Sequence, residues 1–299
     1  MADNEQTENL EPRPEEIKVK KKRGKKLPII LVIILAVLAL CTVGVMHQNT
    51  QLEKTFYQVK STKVIDNIRV VCIADMHLKE FGEDNADLIY EIEKLSPDII
   101  AIAGDMNMES EPDNYDCVIS LCKKLNEIAP VYYSLGNHEF DALLFSDSDI
   151  YDDIKDAGIS ILNNETETIT IGSTTIDIIG LSQGPSTYEE YGASFFEKAM
   201  SADDNFKLVL THYPENFLGV IEDYEIDLAL SGHAHGGLVR LPWIGGLYAA
   251  DQGFFPELTE GYHEIGNSKV VITRGLWKSG KMPRINNKPE IAVVDISWY

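Results

Sequence analysis

The feature that most limits how this chain can fold is a set of short apolar runs, each ending abruptly in polar residues. Five carry it: "RVVCIAD" (69–75), "PDIIAIAGD" (97–105), "PVYYSLGNHE" (130–139), "FKLVLTHYP" (206–214) and "IDLALSGHAH" (226–235). Short runs rich in Val, Ile and Leu and bounded by Gly, Pro, Asp or Asn read as buried strands. Between the first three lie "DNADLIYEIEKL" (84–95) and "NYDCVISLCKKLNEI" (114–128), which have helical spacing. Strand and helix in alternation specify βαβ units. A helix near 147–157, a short strand at 159–162 and a hairpin of "TETIT" (166–170) with "TTIDIIG" (174–180) follow. The pattern resumes with a helix near 215–223 and closes with the strands "KVVITRG" (269–275) and "EIAVVDISW" (290–298). The composite is an α/β domain with mixed sheets, large enough to hold two packed sheets in one unit.

The polar ends of those strands form a set. They supply Asp75 and His77 in "ADMH", Asp105 in "AGDMN", Asn137 and His138 in "GNHE", His212 in "LTHYP", and His233 and His235 in "SGHAHGG". Five of the seven histidines fall in these places. In open α/β sheets functional groups gather at the carboxyl ends of strands. Residues two apart in an extended segment point the same way, so His233 and His235 are expected to project together from a strand end. Taken singly, each Asp reads as a turn or cap and each His as a satisfied structural residue. Taken together they have one economical explanation, a metal site.

The donor types narrow the metal. Mixed carboxylate, amide and imidazole ligands suit Mn, Fe or Zn better than Ca, and there is no Cys among them. They are too many for one open tetrahedral zinc. Two divalent cations sharing a bridging carboxylate fit the number, and such a pair activates a hydroxide for attack on a phosphoryl group.

The N-terminal region is of another kind. Residues 1–17 are polar and acidic, with the composition of a disordered tail, and "KVKKKRGKK" (18–26) holds seven basic residues and no acid. Residues 27–46, "LPIILVIILAVLALCTVGVM", carry no charge. A helix of that length spans about 30 Å, the thickness of a bilayer's hydrocarbon core. A cleaved signal has a shorter apolar region and a small-residue cleavage site. A lipoprotein signal ending at Cys41 has a small residue where this chain has Leu40, and twin-arginine export needs two adjacent arginines. The expectation is therefore a cytoplasmic tail over 1–26, a transmembrane anchor over 27–46, a tether over 47–65 and a catalytic domain over 66–299. The basic flank places the N-terminus in the cytoplasm and the domain outside. The formal net charge of −22 argues against a nucleic-acid surface. Cys72, Cys117 and Cys122 make no disulfide framework and read as small buried hydrophobes.

The ordered set D-x-H, G-D, G-N-H-E, H and G-H-x-H resembles the calcineurin-like metallophosphoesterases, and the resemblance covers residues 69–299. "RGL" (274–276), "PRINN" (283–287) and "PEI" (289–291) resemble the C-terminal part of a bacterial membrane-associated, phosphodiesterase-like branch. The resemblance implies a sandwich of two mixed β-sheets flanked by helices. It implies one cation among Asp75, His77, Asp105 and His235. It implies a second among Asp105, Asn137, His212 and His233, with Asp105 bridging. Asn137 and His138 are the implied catalytic residues. His138 is not a ligand in such sites but stands beside the phosphate, where it protonates the leaving oxygen or stabilises charge. Glu139 helps position the loop. Met108 stands where the family often has another acid, and Leu238 where it often has Gln.

The expected activity is hydrolysis of a phosphodiester, phosphomonoester or pyrophosphate by a metal-bound hydroxide. The anchor directs attention to a membrane- or cell-wall-linked substrate. A non-catalytic metal-binding scaffold on the same fold is the alternative, and every ligand position being filled weighs against it. Arg274 suits bidentate contact with a substrate phosphate, with a salt bridge as the competing role. The aromatic stretch "LPWIGGLYAADQGFFPEL" (241–258) reads first as core, and otherwise as a cap over the site or a lipid-touching patch.

Overall fold

The computed structural model describes residues 26–299, apart from 109, 112–113, 146–148, 279 and 281. The tail expected over 1–26 therefore lies outside the described residues, except for Lys26. A helix, α1 (Lys26–Gln48), comes first. It is long and apolar enough to cross a membrane, as a span or a signal sequence must be.

The domain opens with β1 (Glu53–Lys60), β2 (Ile68–Ile73), α2 (Ala86–Glu93), β3 (Ile99–Ala103) and α3 (Asp116–Asn126). Next come β4 (Val131–Ser134), α4 (Asn137–Phe145), α5 (Ile150–Asp156), β5 (Ser160–Ile161), β6 (Glu165–Ile171) and β7 (Thr174–Leu181). The chain continues through α6 (Ala193–Met200), β8 (Phe206–Thr211) and β9 (Leu228–Ser231). Four two-residue strands follow, β10 (Arg240–Leu241), β11 (Gly245–Gly246), β12 (Tyr248–Ala249) and β13 (Gly253–Phe254). The last strands are β14 (Gly261–Ile265), β15 (Ser268–Ile272) and β16 (Glu290–Ser297).

Two six-stranded mixed sheets result, ordered β1-β16-β2-β3-β4-β5 and β14-β15-β9-β8-β7-β6. β2 to β5 run parallel, as do β7, β8, β9 and β15. The period of two along each strand explains why the sheets stack. Val70, Cys72 and Ala74 pack with Ile99, Ala101 and Ala103 against Ile178, Leu208, Leu210 and Leu228 of the other sheet. Their neighbours Val71, Ile73, Ile100 and Ile102 face outward onto Leu88, Ile92, Leu121 and Leu125 of α2 and α3. Val209 and Ala229 face the far layer, against Phe196 of α6 and Phe217. The expected sandwich of two mixed sheets flanked by helices is what the chain forms.

Several boundaries differ from the expectation. The segment 47–65 is no simple tether. It carries β1, whose eight residues pair in parallel with β16 from Glu53↔Glu290 to Lys60↔Ser297. The segment after β4 does not stay a loop but enters α4 at Asn137. The helix expected over 215–223 is a single 3₁₀ turn, Pro214–Phe217, because Gly219 takes a φ of 105° that breaks a right-handed helix. α6 and β14 lie in segments that the sequence pattern left unassigned. The stretch 241–258 is core only in part: Ala249 and Leu258 are buried, but it forms two small hairpins whose Trp243, Ile244, Phe254 and Phe255 are exposed. Cys72 and Cys122 are buried as expected, and burial pushes both thiol pKa values up.

Candidate metal centre

Because β2, β3 and β4 run parallel in one sheet, and β8 and β9 in the other, their carboxyl ends meet at one end of the sandwich. The chain leaves β2 into Asp75 and His77, β3 into Asp105, β4 into Asn137, β8 into His212 and β9 into His233 and His235. Main-chain bonds tie these exits together. The Asp75 amide donates to Gly104 O at 3.0 Å, the His77 amide to Asp105 O at 3.1 Å, and the Gly232 amide to His212 O at 3.1 Å.

All seven expected ligands converge. Asp75, His77 and His235 form one group of ligand atoms, and Asp105, His212 and His233 form another, each within 4.8 Å. Asp105 stands between them: its Oδ2 lies 3.1 Å from His212 Nε2 and 4.0 Å from His77 Nε2. The Asn137 side chain brings Oδ1 to this end of the sandwich with no hydrogen-bond partner. His138 also arrives there. Its amide donates to Asp105 Oδ1 at 2.9 Å, and its Nε2 lies 3.8 Å from Asp105 Oδ2. With His77 and Asp105 it makes a third group of metal-binding geometry, so His138 stands closer to the ligands than the family pattern alone implied.

The histidine pair does not stand on a strand. β9 ends at Ser231, and His233 and His235 take φ values of 65° and 47° in the turn beyond it. Asp75, His77 and Asp105 share this left-handed conformation, at 54°, 46° and 56°. Each non-glycine residue held there costs about 1–3 kcal/mol, and such strain clusters at functional sites. The close approach needs glycine next to it. A Cβ on Gly136 would sit 2.2 Å from Asp105 Oδ1, and one on Gly275 would sit 2.4 Å from Asp75 Oδ2.

These donors fit a divalent cation pair. Asp75 Oδ2, His77 Nδ1 and Nε2, Asn137 Oδ1 and His235 Nδ1 are buried with no hydrogen-bond partner in the protein. Leaving a buried polar atom unpaired costs about 1–3 kcal/mol, so a cluster of them calls for a ligand. His212 Nδ1 donates to Ala103 O at 2.7 Å, which turns Nε2 toward Asp105 and toward His233 Nδ1, 3.2 Å away. Electrostatics divide the rings. Burial pulls the His77 pKa down to about 3. Burial also opposes charge on His212, but Asp105 outweighs it and raises that pKa to about 10. Burial raises Asp75 to about 6.

Glu139 does position the loop. Its buried carboxylate accepts from the amides of Asp105, Met106, Asn107 and Gly136 and from the Tyr133 hydroxyl, at 2.6–3.3 Å. Arg274 is not brought to the cavity. Its guanidinium is tied to Glu53 at 2.7 Å, Glu260 at 3.4 Å and Glu290 at 3.5 Å, the salt-bridge role. Two further residues carry weight. Asp251 Oδ2 lies 2.9 Å from His233 Nε2, which leaves Nδ1 for the cluster. It comes from the second small hairpin, and no run or spacing in the sequence marks it. Arg284, fully buried, donates to the carbonyls of Arg274, Gly275, Trp277, Asn287 and Lys288. Asn287 in turn donates to His235 O at 2.7 Å and Leu238 O at 3.1 Å. "PRINN" is thus the brace behind the His235 turn.

A recess of about 260 Å³ opens over the cluster, lined by Asp105, Asn137, His138, His233, His235 and the apolar Leu238, Tyr248, Ala250 and Met282. A larger cleft of about 1060 Å³, which includes Asp251 in its lining, shares Asn137 with it.

A two-sheet α/β sandwich that gathers carboxylate, amide and imidazole donors in adjoining groups defines a metal-dependent hydrolase. The chain belongs to the calcineurin-like phosphoesterases, whose family model matches residues 68–237. Members of that family act on phosphate esters and depend on two metal ions, for which the groups above are the candidates. An uncharacterized metallophosphoesterase of Bacillus subtilis (strain 168), YkuE, is 29% identical over 252 residues, which are 81% of this chain and 84% of that one. The phosphodiesterase YaeI of Escherichia coli (strain K12) is 25% identical, over 76% of this chain and 82% of its own. The UDP-2,3-diacylglucosamine pyrophosphatase LpxG of Chlamydia muridarum is 22% identical, over 77% and 84%.

The geometry generates three expectations. Glu139→Ala strands buried amides, so urea unfolding should show a loss of at least about 3 kcal/mol, with lowered metal content. Arg284→Met leaves five carbonyls without their donor and should cost about 3–5 kcal/mol in the same measurement. Asp251→Ala should weaken one of the two metals by roughly 10–100-fold in a competition titration, while the metal-free protein unfolds as the wild type does.

Proposed function

We propose that the chain is a two-metal phosphoesterase anchored by α1, with its domain on the outer side of the membrane, hydrolysing a phosphodiester, phosphomonoester or pyrophosphate. The observation that carries this reading is the place of His138. It lines the recess together with both ligand groups and hydrogen-bonds through its amide to the shared Asp105 carboxylate.

Asp75, His77, Asp105 and His235 would hold one cation, and Asp105, Asn137, His212 and His233 the other. When bound, such cations supply positive charge to the phosphoryl oxygens and lower the pKa of the attacking water. Mn, Fe and Zn all suit the donor set. The protein's own groups do the rest. Glu139 holds the Asp105 and Asn137 loops in register. Asp251 orients His233. The His138 imidazole supplies a proton to the leaving oxygen, and Leu238, Tyr248 and Met282 limit water at the mouth.

The basic run before α1 supports an N-terminus in the cytoplasm. The anchor supports a lipid- or envelope-linked substrate, and the relative named for a diacylated glucosamine nucleotide is consistent with that class. The YaeI name favours a diester.

The test is to purify the full chain in detergent, determine its metals, and assay it on paired chromogenic mono- and diesters. The reading expects two metals per chain and turnover abolished by a chelator. His138→Ala should keep the metals and lose about 10²–10⁴-fold in turnover. Loss of a metal in that variant would make His138 a ligand instead. Metal without turnover on any ester would favour the scaffold alternative.

A further inference from the structure

The two small hairpins between β9 and β14 expose apolar side chains that a water-facing loop has no use for. Trp243 is fully exposed, at 102%, and Ile244, Phe254 and Phe255 are 60%, 68% and 63% exposed. Trp243 and Ile244 sit at the tip between β10 and β11, while Phe254 and Phe255 end the β12–β13 hairpin. Exposed apolar residues gathered in one place mark an interaction site.

Their position supplies the occupant. The same segment forms the rim of the metal centre, through Leu238, Tyr248 and Ala250 in the recess and Asp251 on His233. It also adjoins the point where the end of α1 enters the domain. Gln48 Nε2 and Asn49 Nδ2 donate to Arg284 O at 3.5 and 3.2 Å. The next residue, Ile285, pairs with the base of the β10–β11 hairpin: its carbonyl accepts from the Arg240 amide at 3.0 Å, and its amide donates to Leu238 O at 3.2 Å. Four residues, 49–52, separate α1 from β1, a reach of at most about 14 Å. Gln48 and Asn49, where a bilayer-crossing helix would leave the lipid, thus stand next to the segment that braces these hairpins. Trp and Phe favour the boundary between headgroups and acyl chains. The chain's net charge of −22 leaves apolar insertion, not charge, as the attraction.

We infer that Trp243, Ile244, Phe254 and Phe255 seat in the interfacial layer of the lipid bilayer, so that the mouth of the metal centre opens onto the lipid headgroups. The inference rests on the anchored reading of α1 and is independent of turnover.

The experiment uses the full chain reconstituted into phosphatidylcholine vesicles, with and without lipid brominated high on the acyl chain. Tryptophan emission should be quenched by the brominated lipid, and Trp243→Phe should lose that quenching while Trp277 and Trp298 remain. Quenching should persist in high salt. Trp243 that stays unquenched by the lipid and open to an aqueous quencher overturns the inference. Trp243 shielded from water yet unquenched by the lipid also overturns it, in favour of a second copy of the chain. The triple variant Trp243→Ser, Ile244→Ser, Phe255→Ser should bind its metals and turn over soluble esters like the wild type. Metal-bound protein with lipid quenching but no ester turnover would defeat the hydrolase reading and leave the docking standing. Turnover without quenching would do the reverse.

Discussion

Everything at the centre depends on where the Asp105 carboxylate stands. One oxygen accepts from the His138 amide, and the other faces His77, His138 and His212. Both sheets are needed to put it there. β3 delivers Asp105, β2 and β4 deliver its neighbours within the same sheet, and His212 crosses from the other sheet to bond Ala103 O. A shift of one residue in any of these strands would turn the donor to the opposite face. The buried apolar surface between the sheets is therefore what holds the donor geometry.

That position is strained, and the strain is met nearby. Five donors with left-handed backbone would relax if their surroundings were soft. Glu139 binds both the Asp105 and Gly136 loops by their amides, so neither can turn without breaking several buried hydrogen bonds. On the other side Asn287 holds the carbonyls of His235 and Leu238, and Arg284 holds Asn287 by its carbonyl and side-chain oxygens. The centre is gripped between a carboxylate that collects amides and a guanidinium that collects carbonyls.

Much of this was legible in the sequence because the strands are buried on both faces. Runs such as "VVCIA" and "IIAIA" announce themselves by composition, and the polar residues that end them fall in one order along the chain. The sandwich followed from that, and so did the seven candidate donors that the fold brings to one end. β1 was not legible. "EKTFYQVK" is an edge strand, half exposed, with no continuous apolar run, and only pairing with β16 makes it a strand. The two short hairpins were hidden for a similar reason, since two-residue strands carry no period. The paired projection of His233 and His235 was right in outcome but not in cause, because the turn places them and not the pleat. Arg274 and Asp251 show the limit from both sides. A lone charge reveals its partner only in three dimensions: Arg274 suited a phosphate or a salt bridge equally, and nothing in the sequence marked Asp251 as the partner of His233.

The C-terminal return links the centre to the segment that follows α1. β16 lies between β1 and β2, so the last strand locks the segment that follows α1 into the sheet that carries Asp75. Just before it, residues 284–287 touch three things: the end of α1 through Arg284 O, the hairpin base through Ile285, and the His235 turn through Asn287. One short segment thus couples the end of α1, the apolar rim and the turn that carries His235. A segment that served only as a linker would be met by flexible polar residues. A paired strand and a shared brace in its place fix the segment after α1 to the sheet that carries Asp75, so that segment is part of the framework of the centre.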